Sequence, residues 1–329
     1  MKNAKNCNLG IMFRREHAPE ALPDFARRAE KAGFDELWVV EDCLYASGIA
    51  SAATALACTD SMKVGLGIMP AVVRNPAFSA MEIATLARLH PGRFLPGFGH
   101  GLANWMRQVG AFPKSQLNAL EEVIVTIRAL LAGEQVSFDG QHVQLDQTKL
   151  VHPPDHIPPI SLGVIGPKSL ALSGRVADGT ILSEYSAPAY VSWARDHIAS
   201  EKPDQVQDRE HRLTVFAFAC AESTTAAAHQ KLRPMVAAAM ASGDIDTRIA
   251  AMGILPQVRE YRESGGQERL KAAMPDAWID QLTIAGAPEN WKAAIDRLVE
   301  LGVHSIVLTP PPYDADLDEI DRFARHLYC

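Results

Sequence analysis

Three short stretches of this chain carry side chains able to do chemistry together. Glu41-Asp42 ends an apolar run, His100 sits within Gly97-Phe98-Gly99-His100-Gly101, and Gly166-Pro167-Lys168-Ser169 opens an apolar helical pattern. The acid pair can hold a ligand hydroxyl or a ring edge, or can cap the helix that follows, and the residues alone leave both open. His100 is a candidate proton donor or substrate anchor, its alternative being a plain hydrogen bond to a loop carbonyl. Free N–H groups at a helix start, a lysine and a hydroxyl make a phosphate site, which Pro167 at the first helical position preorganises. The bland alternative is an ordinary loop-to-helix joint with a solvated lysine. Glu184 and Tyr185, just past another apolar run, are further candidates for proton donor or substrate anchor. No Walker motif, zincin histidine pair, Gly-x-Ser-x-Gly elbow or metal-spaced His/Asp cluster is present. A phosphate site without a nucleophile or a metal points to a cofactor that carries the chemistry.

These residues need elements to bring them together. Eight β-rich runs, Leu9–Phe13, Leu37–Val40, Val64–Met69, Phe94–Phe98, Ile160–Ile165, Thr180–Leu182, Leu213–Cys220 and Val303–Leu308, alternate with helical patterns. Leu22, Phe25, Ala26 and Ala29 mark the first helix, Leu120, Val123, Ile124 and Ile127 the fourth, and Trp291, Ala294, Ile295 and Leu298 the last. Strands without alternation, each followed by a helix, belong to a parallel sheet covered by helices, and eight such units predict a closed (β/α)8 TIM barrel. In that fold the strand carboxyl ends hold the active site, which is where the candidates fall. Gly33 and Gly302 each sit just past a helix and just before a strand, as a left-handed helix terminus demands. In Lys63-Val64-Gly65-Leu66-Gly67-Ile68-Met69-Pro70 the glycines are expected to let backbone approach a flat ligand, and those around Phe98 to expose backbone likewise. Residues 136–145 read as a small hairpin around Asp139-Gly140. Residues 223–275 read as a helical insertion after the seventh strand, over the barrel mouth, within one domain spanning residues 1–329.

Composition agrees with such a core. The chain has 329 residues, 47% of them hydrophobic and 22% charged, enough to bury a large interior. A net charge of −7 argues against nucleic acid as the main partner. The five cysteines, Cys7, Cys43, Cys58, Cys220 and Cys329, are widely spaced, so neither a disulfide framework nor a zinc site is expected and the cytoplasm is the default compartment. The apolar run after Met1 to Asn6 is too short for a signal-peptide core or a membrane span.

Several strings carry a family likeness. Gly65-Leu66-Gly67-Ile68-Met69-Pro70, Arg74-Asn75-Pro76-Ala77, Ala80-Met81-Glu82-Ile83-Ala84-Thr85-Leu86 and Pro91-Gly92-Arg93-Phe94 through Gly99 together resemble the luciferase-like monooxygenase superfamily. Within it the chain is most similar to the branch of methylenetetrahydromethanopterin reductase, which uses the deazaflavin coenzyme F-420. Gly174-Arg175-Val176-Ala177-Asp178-Gly179 and Ala285-Gly286-Ala287-Pro288-Glu289 extend the likeness over nearly the whole chain. The resemblance implies an oxidoreductase moving hydride between reduced coenzyme F-420 and a small organic substrate. It implies a bulge with a non-proline cis peptide at Gly67-Ile68 backing the ring, Asp42 and Asn104 at the ring's polar edge, and Gly166, Pro167, Lys168 and Ser169 around the phosphate. His100 and Glu184 are then the side chains to test for proton transfer. The same likeness admits an FMN-dependent monooxygenase supplied by a partner flavin reductase, or a non-catalytic flavin-binding protein, and it implies a homodimer. The chain departs from bacterial luciferases and from sugar-phosphate dehydrogenases of the deazaflavin branch in having Asp42-Cys43 where they carry a histidine after the second strand.

Overall fold

The computed structural model describes residues 7–202, 210–312 and 317–328. Met1 to Asn6 and Cys329 lie outside the described residues. The strands are β1 (Asn8–Met12), β2 (Glu36–Val39), β3 (Lys63–Pro70), β4 (Phe94–Gly99), β5 (Val136–Asp139), β6 (Gln144–Thr148), β7 (Ser161–Gly163), β8 (Gly179–Leu182), β9 (Arg212–Ala221), β10 (Ile284–Gly286) and β11 (Ser305–Thr309). Eight of them, β1, β2, β3, β4, β7, β8, β9 and β11, pair in parallel in that order, and β11 returns to β1, closing the barrel. Each expected run holds one barrel strand, its ends displaced by no more than two residues. β5 and β6 form the expected antiparallel hairpin outside the barrel.

Helices α1 (Leu22–Ala32), α2 (Gly48–Cys58), α3 (Pro76–Leu89), α4 (Ala103–Gln108), α5 (Gln116–Leu131), α6 (Pro167–Val176) and α7 (Pro188–Ser200) follow the first six barrel strands. Their apolar stripes pack on the outer strand faces; α1 buries Leu22, Phe25, Ala26 and Ala29 and stops at Gly33, whose φ of 93° makes the left-handed terminus. Gly302 repeats that joint with φ of 75°. Inside the barrel, Met12, Trp38, Leu95, Ile181, Phe216 and Val307 fill the space between strands. Trp38 meets Phe216 edge to face at 5.2 Å between centroids. This packing corrects the expectation for Gly65: a Cβ there would fall 2.3 Å from the Trp38 ring, so the glycine admits an indole of the core rather than a ligand.

The insertion comprises α8 (Thr225–Ser242), α9 (Asp246–Ala251), α10 (Leu255–Glu263), α11 (Gly266–Ala273) and α12 (Asp276–Leu282), so its helices run past the expected end at residue 275. It has an apolar core of its own around Leu232, Val236, Met240, Ile249, Leu270 and Ile279. It ends in β10, an unexpected strand that pairs with Ala219–Ala221 at the far end of β9, whose earlier residues pair with β11. Then come α13 (Pro288–Glu300), expected as the last helix, and α14 (Glu319–Tyr328), which is the last in fact. Ile320, Phe323 and Leu327 of α14 are buried, and Phe323 packs edge to face on Trp291 at 5.0 Å. Among the described residues no helix is long and apolar enough to cross a membrane.

Candidate active site

At the carboxyl ends of the barrel strands lies a cavity of about 440 Å³. Larger hollows, about 490 and 580 Å³, open at the opposite end beside Asp178, His211 and His304. Volume therefore does not single out the site; the convergence of polar groups with a reshaped backbone does. Ile181 and Phe216 of the barrel core line the cavity, with Gly67 and Ile68 of β3 beside them.

The β3 wall departs from regular strand geometry. Its register against β4 shifts between Leu66 and Met69, and the Gly67–Ile68 peptide is cis. A Cβ on Gly67 would lie 2.7 Å from the Phe216 ring, so the residue is glycine because the core beneath it is full. Ile68 turns toward β4 and β7: a Cβ on Gly163 would come within 2.5 Å of its Cγ2, and one on Gly99 within 3.0 Å of its Cδ1. This corrects the expectation that the glycines around Phe98 expose backbone to a ligand: Gly97 and Gly99 admit neighbouring side chains instead, and Gly101, beyond the strand, is the one of the three that lines the cavity. The whole of β4 is buried, and Gly99 with Gly163 forms the seat of the Ile68 side chain.

The acid pair divides its roles. Glu41 accepts from the Gly48 N–H at 2.9 Å at the start of α2, where the Ser47 hydroxyl is the N-cap, and is gripped by both terminal nitrogens of Arg74; it lines the cavity as well. Asp42 lines the cavity and pairs with Arg15 at 2.7 Å. The Arg15 guanidinium lies over the Tyr45 ring at 5.0 Å and the Trp105 ring at 5.7 Å, forming part of the rim. Sequence reasoning passed over Arg15, although it follows the first strand directly and the rule about strand ends applied to it as well. Its neighbour Arg14 is buried, donating to the Pro310 carbonyl at 2.7 Å and pairing with Glu16.

His100 is half-buried on the cavity wall, its Nε2 3.0 Å from Ser169 Oγ. Burial pushes the imidazole's pKa down, against a smaller opposite pull from the Gln116 backbone, so the ring is neutral at pH 7. Its Nδ1 is shielded from water and makes no hydrogen bond of normal geometry. Gly166 and Ser169 line the cavity at the start of α6, where no side chain caps the helix and a Cβ on Gly166 would meet open space. Pro167 and Lys168 are exposed and lie outside the lining. One turn of helix carries both pairs, and only positions three apart, 166 and 169, face inward. The same geometry excludes Asn104: Leu102 and Trp105 line the cavity, while Asn104, between them on α4, is exposed.

Beyond β8 the chain turns sharply. Tyr185 adopts φ of 64°, and its ring packs against Phe218 at 5.1 Å, outside the lining. Glu184 does line the cavity, 3.4 Å from Thr309 Oγ1. Burial raises the pKa of its carboxyl and the Asp42 charge adds to this, opposed by its own backbone N–H, by Arg248 and by Thr309. Arg248 comes from α9 of the insertion, a region whose sequence offered no motif. Among the described residues no group of three His, Cys, Asp or Glu side chains is placed to hold a metal ion.

The family model for luciferase-like monooxygenases matches residues 8–305. The chain belongs to this family. It is 30% identical over 311 residues to the 5,10-methylenetetrahydromethanopterin reductase of Methanolobus tindarius, covering 92% of this chain and 94% of that one. Among solved structures it is similar to the coenzyme F-420 dependent tetrahydromethanopterin reductase from Methanopyrus kandleri, with a TM-score of 0.77, 21% identity and 98% of each chain covered. It is likewise similar to an F-420-dependent secondary alcohol dehydrogenase in complex with an F-420–acetone adduct, with a TM-score of 0.74, 23% identity and 98% of each chain covered. Those two share the fold. This luciferase-like protein is an oxidoreductase, and its mouth suits a flat ring with an anionic tail. The bulged β3 backbone offers a wall at Gly67 and Ile68, and the start of α6, which no side chain caps, offers backbone N–H groups.

Proposed function

We propose that the protein is a coenzyme F-420-dependent oxidoreductase that transfers hydride between the reduced deazaflavin and a small organic substrate. One observation carries this reading: the bulged cis peptide Gly67–Ile68 and the uncapped start of α6 line one and the same cavity. When bound, the deazaflavin supplies the two-electron step. The chain's own residues supply position. Gly67 and Ile68 would support the ring face, the Asp42–Arg15 pair would meet its polar edge, and the N–H groups of the first turn of α6 would receive the phosphate beside Ser169. Lys168, exposed on that turn, adds charge from the solvent side. His100, neutral and held by Ser169, orients a polar group of the bound molecule. Glu184 keeps its proton above the usual carboxylate range and can release it to a substrate atom in the cavity.

A cytoplasmic homodimer is part of the same proposal. The thiols of Cys7, Cys43 and Cys58 are free, which suits a reducing compartment. Phe78, Met81 and Leu89 lie exposed along α3, which suits pairing through barrel helices.

Titrating the purified protein with coenzyme F-420 and, separately, with FMN tests the cofactor by fluorescence quenching. Tight binding of the deazaflavin and weak or no binding of FMN is expected. The reverse preference overturns the assignment in favour of a flavin monooxygenase.

A further inference from the structure

Arg248 is only 4% exposed, yet its hydrogen bonds go to a hydroxyl and a backbone carbonyl rather than to a carboxylate. Its guanidinium donates to Ser183 Oγ and, at 3.3 Å, to the Asp244 carbonyl, and it lies 5.9 Å from the Tyr190 ring. Its Nε finds no acceptor. Taking a guanidinium out of water without a carboxylate partner is costly, and a hydrophobic residue would have packed at less expense. Its position explains its presence. Ser183 and Glu184 are consecutive residues at the exit of β8, and both line the cavity. Gripping Ser183 therefore fixes the backbone that presents Glu184, while the positive charge acts on the Glu184 carboxyl.

We propose that Arg248 is a positioning residue, through which the insertion fastens the β8 exit and so holds the Glu184 carboxyl in the cavity. Asp42 beyond β2, Thr309 on β11, Arg248 on α9 and the backbone of Glu184 itself bear on that carboxyl, and Arg15, paired with Asp42, lines the same cavity. Asp42 disfavours the ionised form, and Thr309, Arg248 and the backbone favour it. Arg248 is the member of this set carried by the insertion. A shift of α9 relative to the barrel thus changes the readiness of the mouth to give up a proton. This role rests on Glu184 as the proton-bearing group of the proposed reaction, but it is measured without any reaction.

The test is a pH titration of the protonated carboxyl band by infrared spectroscopy on the ligand-free protein, with Glu184 isolated by subtracting the spectra of Glu184→Gln. In Arg248→Met the midpoint should rise by roughly one pH unit, the usual effect of losing a nearby opposite charge, and in Arg248→Lys it should return toward the native value. Identical midpoints in the native protein and Arg248→Met, with only the melting temperature lowered, overturn the proposal and leave Arg248 a purely structural residue. If Arg248→Met does not fold, the native protein decides by NMR. The Arg248 Nε–H resonance should move with pH over the Glu184 titration and stay still in Glu184→Gln; a resonance that ignores that titration overturns the proposal. Unchanged turnover in Glu184→Gln, beside an intact infrared effect of Arg248, would fault the role of Glu184 and not the coupling.

Discussion

Glu36 and Glu184 are carboxyl groups withdrawn from water at opposite ends of one barrel, and their surroundings differ in kind. At the amino ends of the strands Glu36 is fully buried and accepts from Asn8 Nδ2 at 2.7 Å, Trp38 Nε1 at 2.9 Å, Ser305 Oγ at 2.7 Å and the Arg212 guanidinium. Those donors stand on β1, β2, β11 and β9, so one side chain ties together four neighbouring strands of the closed sheet. At the carboxyl ends Glu184 is half-buried and, beside its own backbone N–H, has one long contact with Thr309. A carboxylate saturated with donors is a structural rivet. One left short of donors, beside a cavity, keeps a proton it can exchange.

The largest expected effect is at the floor. Glu36→Ala strips Arg212 of its partner and leaves the buried donors unpaired, so urea unfolding should show a loss of about 3–5 kcal/mol. A loss within error of zero would break the comparison. At the mouth, Glu184→Gln should lower turnover by roughly 100-fold or more while sparing stability. Its stability should also depend on pH in a defined direction. Because the folded pKa lies above the unfolded value of about 4.3, the native carboxyl favours folding least once pH has risen through that folded pKa. The melting temperature of the glutamine variant relative to native should therefore climb from pH 4 to pH 8, and a flat difference would show that Glu184 is not perturbed. The smallest effect belongs to Lys168→Ala. Its charge is exposed, so removing it should weaken deazaflavin binding by under ~1 kcal/mol, less than about fivefold by titration. A larger loss would place the lysine on the phosphate after all.

The barrel was legible because burial on both faces makes each strand an apolar run, and the helices between them keep a 3.6-residue rhythm. The termini at Gly33 and Gly302 were legible for a similarly local reason, since a left-handed residue just past a helix selects glycine. α14 escaped although Ile320, Phe323 and Leu327 keep that rhythm, and β10 escaped because three residues carry no periodicity. At the site, Asp42, His100, Gly166, Ser169 and Glu184 were reachable from their places after strands, and all line the cavity. Asn104, Pro167, Lys168 and Tyr185 had the same credentials and face elsewhere, because the turn of helix or the backbone dihedral that aims each one is not written in its neighbours.

Local pattern thus determined the order of the elements, the barrel, and the end of it that carries chemistry, since each depends on residues a few positions apart. Only the tertiary structure decided which glycines make room for Trp38, Phe216 and Ile68 and which of two adjacent acids binds Arg74 and the start of α2. It alone set Arg248 on Ser183, next in chain to Glu184, across 65 positions. Those outcomes arise from packing and from electrostatic fields between segments distant in sequence, which act only once the chain has closed.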